Sequence, residues 1–362
     1  MRIAVLSTSY PRDRDDWAGH FVRGLARWFR EAGHEVTVLC AGPGTGRTQA
    51  DEDGLEVVRI PGRGLFYGGG APEALARPMA WAAAARFSAE LGLRAARVLR
   101  GTDALVTHWL VPCGMLGCLL LRGRPHLAIA HSGDVHLLER LGRRALCASV
   151  RLLAGSGARL ACASAPLRTR LLAGARPRDR DCLLDRSAIV PMGIDVAALR
   201  PRRARPMLPG RLVAAFVGRR SPIKGLEVLE RAAQGVAGVT LRVADGGVVG
   251  EAKRALLEEV DVLCVPSIEL PDGRTEGTPT VVLEGMAAGL PVLASRTGGI
   301  PDVLRDGVTG LLLPPGDVAR LRDALITLRD DPALRQRLSL ASLAEADRYD
   351  WSRVGPTLAS LL

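Results

Sequence analysis

The sequence predicts an α/β protein of two doubly wound, Rossmann-like domains, each a parallel sheet with helices on both faces, facing each other across a cleft. Three observations carry this. Short β-branched runs alternate with long Ala/Leu/Arg helical runs, the rhythm of βαβ units. The rhythm stops in a Pro- and Arg-rich stretch, residues 191–210, and then restarts. The chain has 362 residues, 48% of them apolar, enough for about two domains with large cores.

The elements follow in order. Residues 2–7 form a first strand. Residues 20–32 form a helix with Phe21, Leu25, Trp28 and Phe29 on its apolar face, closed by Gly33. Strands follow at 35–40 and 55–60, a largely helical stretch at 74–100, strands at 103–107 and 126–130, a helix from 135 to about 154, and strands at 159–163 and 187–190. After the linker come a strand at 211–217, a helix at 225–233, a strand at 239–243, a helix at 252–259 and a strand at 262–265. A helix at 280–288 ends at Gly289 and Pro291, and a strand occupies 291–294. The last stretch, 335–362, reads as an amphipathic helix. The division is residues 1–195 and 196–344, with 345–362 crossing back to pack on the first domain. Ligands of such sheets bind beyond the carboxyl ends of the strands.

Charge and cysteine content narrow the function. The first 195 residues carry 27 basic and 18 acidic side chains, an excess of 9; the remainder carry 22 and 20, an excess of 2. The basic half suits an anionic partner such as a membrane surface, a lipid-linked phosphate or an acidic glycan, unless Arg is simply the favoured solvated cation of an Arg-rich genome. Nucleic acid is disfavoured, because aromatics make up 4% and do not interleave with the Arg residues. Seven cysteines without metal-ligand spacing read as reduced core residues of a cytosolic protein. The first residues are too short an apolar run for a signal peptide, and no window reaches the length of a spanning helix. The expected location is cytoplasmic, with membrane contact at most peripheral on the inner face.

Four loops fall where strands should end. Loop 11–19 closes on Gly19, where backbone can approach a ligand at a helix start. No G-x-G-x-x-G follows this strand, which argues against a dinucleotide oxidoreductase; the Gly-rich 42–46 lacks a P-loop's Gly-Lys-Ser/Thr and reads as a turn. His131-Ser132-Gly133-Asp134-Val135-His136 follows the strand 126–130, placing His131 and Asp134 for polar recognition or proton chemistry. Gly218-Arg219-Arg220-Ser221-Pro222-Ile223-Lys224-Gly225 holds one of only two lysines, Lys224 and Lys253. A compact ammonium reaches a phosphate where a guanidinium fork cannot, so Arg219 and Lys224 suit a diphosphate. In the fourth loop, Glu276 and Glu284 stand eight positions apart around a helix start, with Pro279 in the first turn. The helix N-terminus favours an anion, and the carboxylates accept from sugar hydroxyls, which together suggest a nucleotide sugar.

These loops, in this order, resemble the family-4 retaining glycosyltransferases of the GT-B fold over nearly the whole chain. The resemblance rests on Glu276-x7-Glu284 continuing to Gly298-Gly299-Ile300-Pro301-Asp302, on Gly218-Arg219 with Lys224-Gly225, on Val265-Pro266-Ser267, on Met192-Gly193-Ile194-Asp195 and on Asp306-Gly307-Val308-Thr309-Gly310. His108-Trp109 with Pro112 and Gly114, and the His131 segment, look like the branch working on capsular and exopolysaccharide glycans. It implies a first domain that binds the acceptor and a second that binds the nucleotide sugar. Arg219 and Lys224 would bind the donor diphosphate and stabilise its charge as the sugar leaves. Glu276 would hold the transferred sugar. Backbone of Gly277, Thr278 and Thr280 would add to phosphate or sugar binding, Glu284 would hold the ribose, and Gly19 would let the first domain close on the phosphates. His131 would lie near the anomeric carbon, and Asp134 and His108 on the acceptor side. The reaction would retain configuration, without a metal and with no cofactor beyond the co-substrate, a UDP- or GDP-sugar most of all. The acceptor would be a glycan, a lipid-linked acceptor or a small molecule.

The chain departs from the family after Arg242-Val243-Ala244-Asp245-Gly246, where only about fifteen residues precede the Pro-Ser strand and one strand is missing. The rivals are a sugar epimerase or phosphorylase of the same fold, and a non-catalytic sugar-binding module. A phosphorylase would need a pyridoxal phosphate lysine, and Lys253 is the only spare one, in an ordinary helix.

Overall fold

The computed structural model describes all residues except 14–15, 43–47, 63–64, 67–74, 76–77, 122 and 203–205. The turn read at 42–46 therefore lies almost wholly outside the described residues. So do parts of loop 11–19, of the stretch 74–100 and of the linker 191–210. The chain divides into two compact units: Met1–Val190 with Val354–Leu362, and Pro191–Arg353.

The first unit is an eight-stranded sheet in the order β3-β4-β2-β1-β5-β6-β7-β8. Its strands are β1 Arg2–Ser7, β2 Glu35–Gly42, β3 Thr48–Glu52, β4 Leu55–Pro61, β5 Ala104–His108, β6 His126–Ala130, β7 Arg159–Cys162 and β8 Ser187–Ile189. All pair in parallel except β3, which runs antiparallel to β4 at the edge. The parallel strands read as continuous apolar runs because both faces are covered. Ala4 and Leu6 of β1 pack in one cluster with Leu105, while Ala128 and Ala130 of β6 pack in another. Within this unit the returning terminus lays Gly355 on the indole of Trp28, at a spot where a Cβ would come within 2.2 Å of the ring.

The second unit is a five-stranded parallel sheet, β10-β9-β11-β12-β13. Its strands are β9 Leu212–Gly218, β10 Val239–Asp245, β11 Val262–Val265, β12 Val292–Ser295 and β13 Gly310–Leu313. Alternation shows the two-sided burial directly. Val213 and Ala215 of β9 face one core with Leu263 and Val265 of β11, whereas Leu212, Ala214 and Phe216 face the other with Val262 and Cys264.

Several elements differ from the sequence reading. The single helix read at 135–154 is two, Ser132–Arg140 and Arg143–Ser156, parted at Gly142, whose φ of 94° no helix accommodates. The terminal helix is likewise two, Pro332–Ala346 and Trp351–Ala359. The reading missed β3, β13 and the helices Ala165–Ala173, Pro177–Leu184 and Val318–Asp330, besides some short helices. Pro279 caps the helix Thr280–Ala287 from outside, with ψ 123°, rather than sitting in its first turn.

Candidate active site

In the second unit the order turns at β9 and β11, where β10 lies on one side and β11 on the other. Such a switch point leaves a crevice at the strand exits. Both loops that leave these exits carry predicted residues. After β9 the chain passes Arg219 and Lys224 and turns at Gly225, at φ 67°. A Cβ there would stand 1.9 Å from the Pro266 carbonyl oxygen, so only glycine lets this loop lie on the exit of β11. Ile268 N–H then donates to the Ile223 carbonyl at 2.9 Å, tying the two loops together.

That contact joins Lys224 to Glu276. Lys224 Nζ lies 2.7 Å from Glu276 Oε1, and Ser267 Oγ donates to Oε2 at 3.3 Å. Both side chains are largely buried, at 20% and 10% exposure. Gly298 fixes the loop from behind: a Cβ would lie 2.1 Å from the Glu276 carbonyl oxygen, and Gly299 N–H donates to the Gly277 carbonyl at 2.7 Å. Gly277, Thr278 and Thr280 are half-buried along this turn. Arg219 leaves β9 beside Gly246, its Cγ 3.6 Å from where a Cβ on that glycine would stand. Its neighbour Arg220 is taken up by Asp245, through the guanidinium at 3.1 Å and the backbone N–H at 3.0 Å.

Glu284 sits in the second turn of the helix Thr280–Ala287 and is 5% exposed. Its partner is Lys253: Nζ donates to both carboxylate oxygens, at 3.2 and 3.1 Å. Sequence reasoning missed this. Lys253 looked spare in a surface helix, yet the helix Gly250–Glu259 runs directly from the edge strand β10 into β11 and is the only element in that short passage. The available signal was the count of lysines. The chain has two, and each meets one glutamate of the Glu-x7-Glu segment.

The first unit turns at β1 and β5. Loop 11–19 leaves β1 and is braced within itself. The Asp16 carboxylate accepts from the backbone N–H of Arg12 at 2.9 Å and of Ala18 at 3.0 Å. Buried Arg59 reaches the Pro11 carbonyl at 2.6 Å. Gly19 caps the helix His20–Glu31 and lies against the Ser9 carbonyl.

His108 ends β5 and His131 follows β6, so parallel pairing brings them side by side. Their rings stack at 5.4 Å with 13° between planes, and His108 Nδ1 lies 3.2 Å from His131 Nε2. Phe21 and Trp109, which sequence reasoning did not place here, close on His131 at 5.0 and 4.9 Å. Burial pushes His131 down to about 3, and burial followed by the charge of His131 holds His108 well below the usual imidazole range. Both rings are neutral at pH 7. Asp134 is 3% exposed, and its carboxylate faces backbone: Oδ2 accepts from Leu110 N–H at 2.7 Å and His131 N–H at 3.2 Å, and Oδ1 from Val135 N–H at 3.0 Å. It straps the β5 and β6 loops together. Burial raises it to about 7 against these three hydrogen bonds. Among the described residues no group of three or more His, Cys, Asp or Glu is placed to hold a metal, and no helix is long and apolar enough to cross a membrane.

The sequence in this architecture is not isolated. Residues 18–184 match the family described as glycosyl transferase 4-like domain, and residues 208–331 match glycosyl transferases group 1. The two matches fall one in each unit. The group 1 match takes in Arg219, Lys224, Lys253, Glu276 and Glu284; the 4-like match takes in Gly19, His108, His131 and Asp134. The chain is 43% identical over 109 residues to a phosphatidyl-myo-inositol mannosyltransferase of Mycobacterium leprae, covering 30% of this chain and 28% of that one. It is 30% identical over 217 residues to a D-inositol 3-phosphate glycosyltransferase of Actinosynnema mirum, covering 47% and 50%. The matched part thus spans half or less of these relatives. A crystal structure of Anabaena HepE in complex with UDP-glucose superposes with TM-score 0.70 over 99% of both chains at 16% identity, a likeness of GT-B fold.

Proposed function

We propose that the protein transfers a sugar from a nucleoside-diphosphate sugar to a hydroxyl acceptor, with the donor held at the β9/β11 exits. The observation that carries this is the pairing of both lysines with both glutamates at that switch point. An ion pair this dehydrated is poised for exchange. A diphosphate entering beside Lys224 takes its ammonium, with Arg219 adding the second charge, and releases Glu276 to accept from the hydroxyls of the sugar. Electrostatic stabilisation then falls on the oxygens where leaving-group charge develops. Backbone of Gly277, Thr278 and Thr280 lines the same turn. Glu284 accepts from the ribose hydroxyls. Lys253 donates to both of its oxygens and so positions the carboxylate.

On the first unit, neutral His131 and His108 suit an uncharged hydroxyl acceptor, and Asp134 positions them by holding their loops. Same-face transfer, with the leaving phosphate taking the acceptor proton, needs no separate base or metal, and configuration is retained. The names of the relatives favour a polyol or inositol-type acceptor over a capsular or exopolysaccharide glycan. The deciding experiment incubates the protein with UDP-glucose, GDP-mannose and ADP-glucose, with and without myo-inositol phosphates or oligosaccharides, and follows nucleotide release by chromatography. Acceptor-dependent release from one donor is the expected result. Donor binding with neither release nor transfer for any pair would sink the enzymatic reading.

A further inference from the structure

The helix Arg143–Ser156 buries Leu146, Val150 and Leu153 in the first unit. Another of its faces lines an open hollow of about 800 Å³, completed by Leu119 and by Arg176 ahead of the helix Pro177–Leu184. Arg144 and Arg151 are seven residues apart, two turns, and so point from the same side. With Arg176 they bring three exposed guanidiniums to one concavity whose lining, among the described residues, contains no acidic side chain. Nearby arginines are neutralised, Arg170 by Glu139 and Arg180 by Asp181. Among the described residues none of these three has such a partner.

The hollow is not part of the site described above. Gly123 and Ser156, on its rim, precede the entry ends of β6 and β7, whereas His108 and His131 lie at strand exits. Its lining also mixes charge with apolar surface. Leu119 is 55% exposed, and the half-buried Cys147 thiol, on the wall, donates to the Gly174 carbonyl at 2.6 Å.

We infer that this hollow is a second anion site, which takes a phosphate group carried on a small polar body. Three guanidiniums match the several oxygens of a phosphate monoester or diester, and the double charge of the monoester, better than a carboxylate. The volume exceeds that of a bare ion and leaves room for a glycerol or polyol. Among the described residues no aromatic lines it, which disfavours stacked nucleobases. The phosphate comes either from a lipid headgroup, with exposed Leu119 turned to the bilayer, or from a free phosphorylated metabolite.

The test compares the native protein with R144Q/R151Q/R176Q, in which three exposed positions keep their bulk. One arm measures sedimentation with phosphatidylcholine vesicles with and without phosphatidylglycerol. The other titrates soluble glycerol 3-phosphate and reads protection of Cys147 from iodoacetamide by peptide mass. Binding in either arm that weakens about 100-fold in the variant, and falls with added salt, supports the site, and the arm that responds names the source. Protection of Cys147 in the native protein locates it independently of any variant. UDP-glucose binding stays unchanged, since none of the three arginines belongs to the donor site. Binding in neither arm, or equal binding by native and variant protein, overturns the inference.

Discussion

At the exits of β5 and β6, two imidazoles stack among Phe21 and Trp109 and neither carries charge at neutral pH. At the exits of β9 and β11, the polar groups are ionic, lysine against glutamate, twice. Both regions are strand exits at or beside a change of strand order, and both are largely buried. They differ in how they satisfy the cost of burial. The first discharges its titratable groups, as isolated burial demands. The second keeps its charges by pairing them, a balance that holds only while both partners remain. A site of the second kind is prepared for a charged ligand that substitutes for one partner. A site of the first kind suits a neutral ligand recognised by shape and hydrogen bonds.

The largest effect expected from this contrast is at Lys224. Lys224→Ala removes the ammonium and leaves the Glu276 carboxylate, 10% exposed, beside the donor phosphates. Like charges then meet in a dehydrated site, and kcat/KM should fall by about 10³. Glu276→Gln in the same background should recover part of the nucleotide affinity by removing the repulsion, although not the turnover. If Lys224→Ala turns over normally, the exchange of partners is wrong and the pair is structural.

A smaller effect separates the two pairs. Lys253→Met keeps the stem and deletes the charge, so Glu284 loses its orientation but not its place. Nucleotide KM should rise about tenfold while kcat changes little, because the ribose is remote from the bond that breaks. An equal fall in kcat would place Lys253 at the reacting centre instead. No rise in KM would show that Glu284 orients itself.

The sequence made the two regions unequally legible. Lys224 and Glu276 are visible because Gly225 and Gly277 follow them, and Gly225 has a physical reason: a Cβ there would enter the Pro266 carbonyl oxygen. Local rules of turn and cap thus expose the loops that need them. The pairing of Lys253 with Glu284 spans 31 residues and two elements, and nothing in the neighbourhood of Lys253 announces it. The strand rhythm was readable because parallel strands are uniformly apolar. For that reason β3, with its Thr-Gln-Ala-Asp-Glu, escaped it. Asp134 was legible as functional in position, at a strand exit, but its strap across three N–H groups depends on the β5 loop, 24 residues upstream. Phe21 read as core because its helix is amphipathic; only the sheet order brings it to His131.

The mildest prediction probes the neutral region through pH. Burial lowers His131 to about 3 and His126 to about 4, and holds His108 well below its ordinary value. For each, the unfolded chain binds a proton at a pH where the folded one does not. Their contribution to stability is therefore complete above pH ~6.5 and is lost as pH falls toward 4. Asp134, raised to about 7, works oppositely: its contribution is present below pH ~4 and is lost as pH rises through 7. Three groups oppose one, so the first unit should weaken on acidification from pH 6.5 to 4. Each imidazole adds up to about 1.4 kcal/mol per pH unit to that slope, and Asp134 cancels about one of them. His131→Asn should flatten it by one such increment, read by amide exchange of β6 across this range. A slope unchanged in His131→Asn would mean that the stacked pair is hydrated and chargeable, and the contrast between a neutral and an ionic strand exit would disappear.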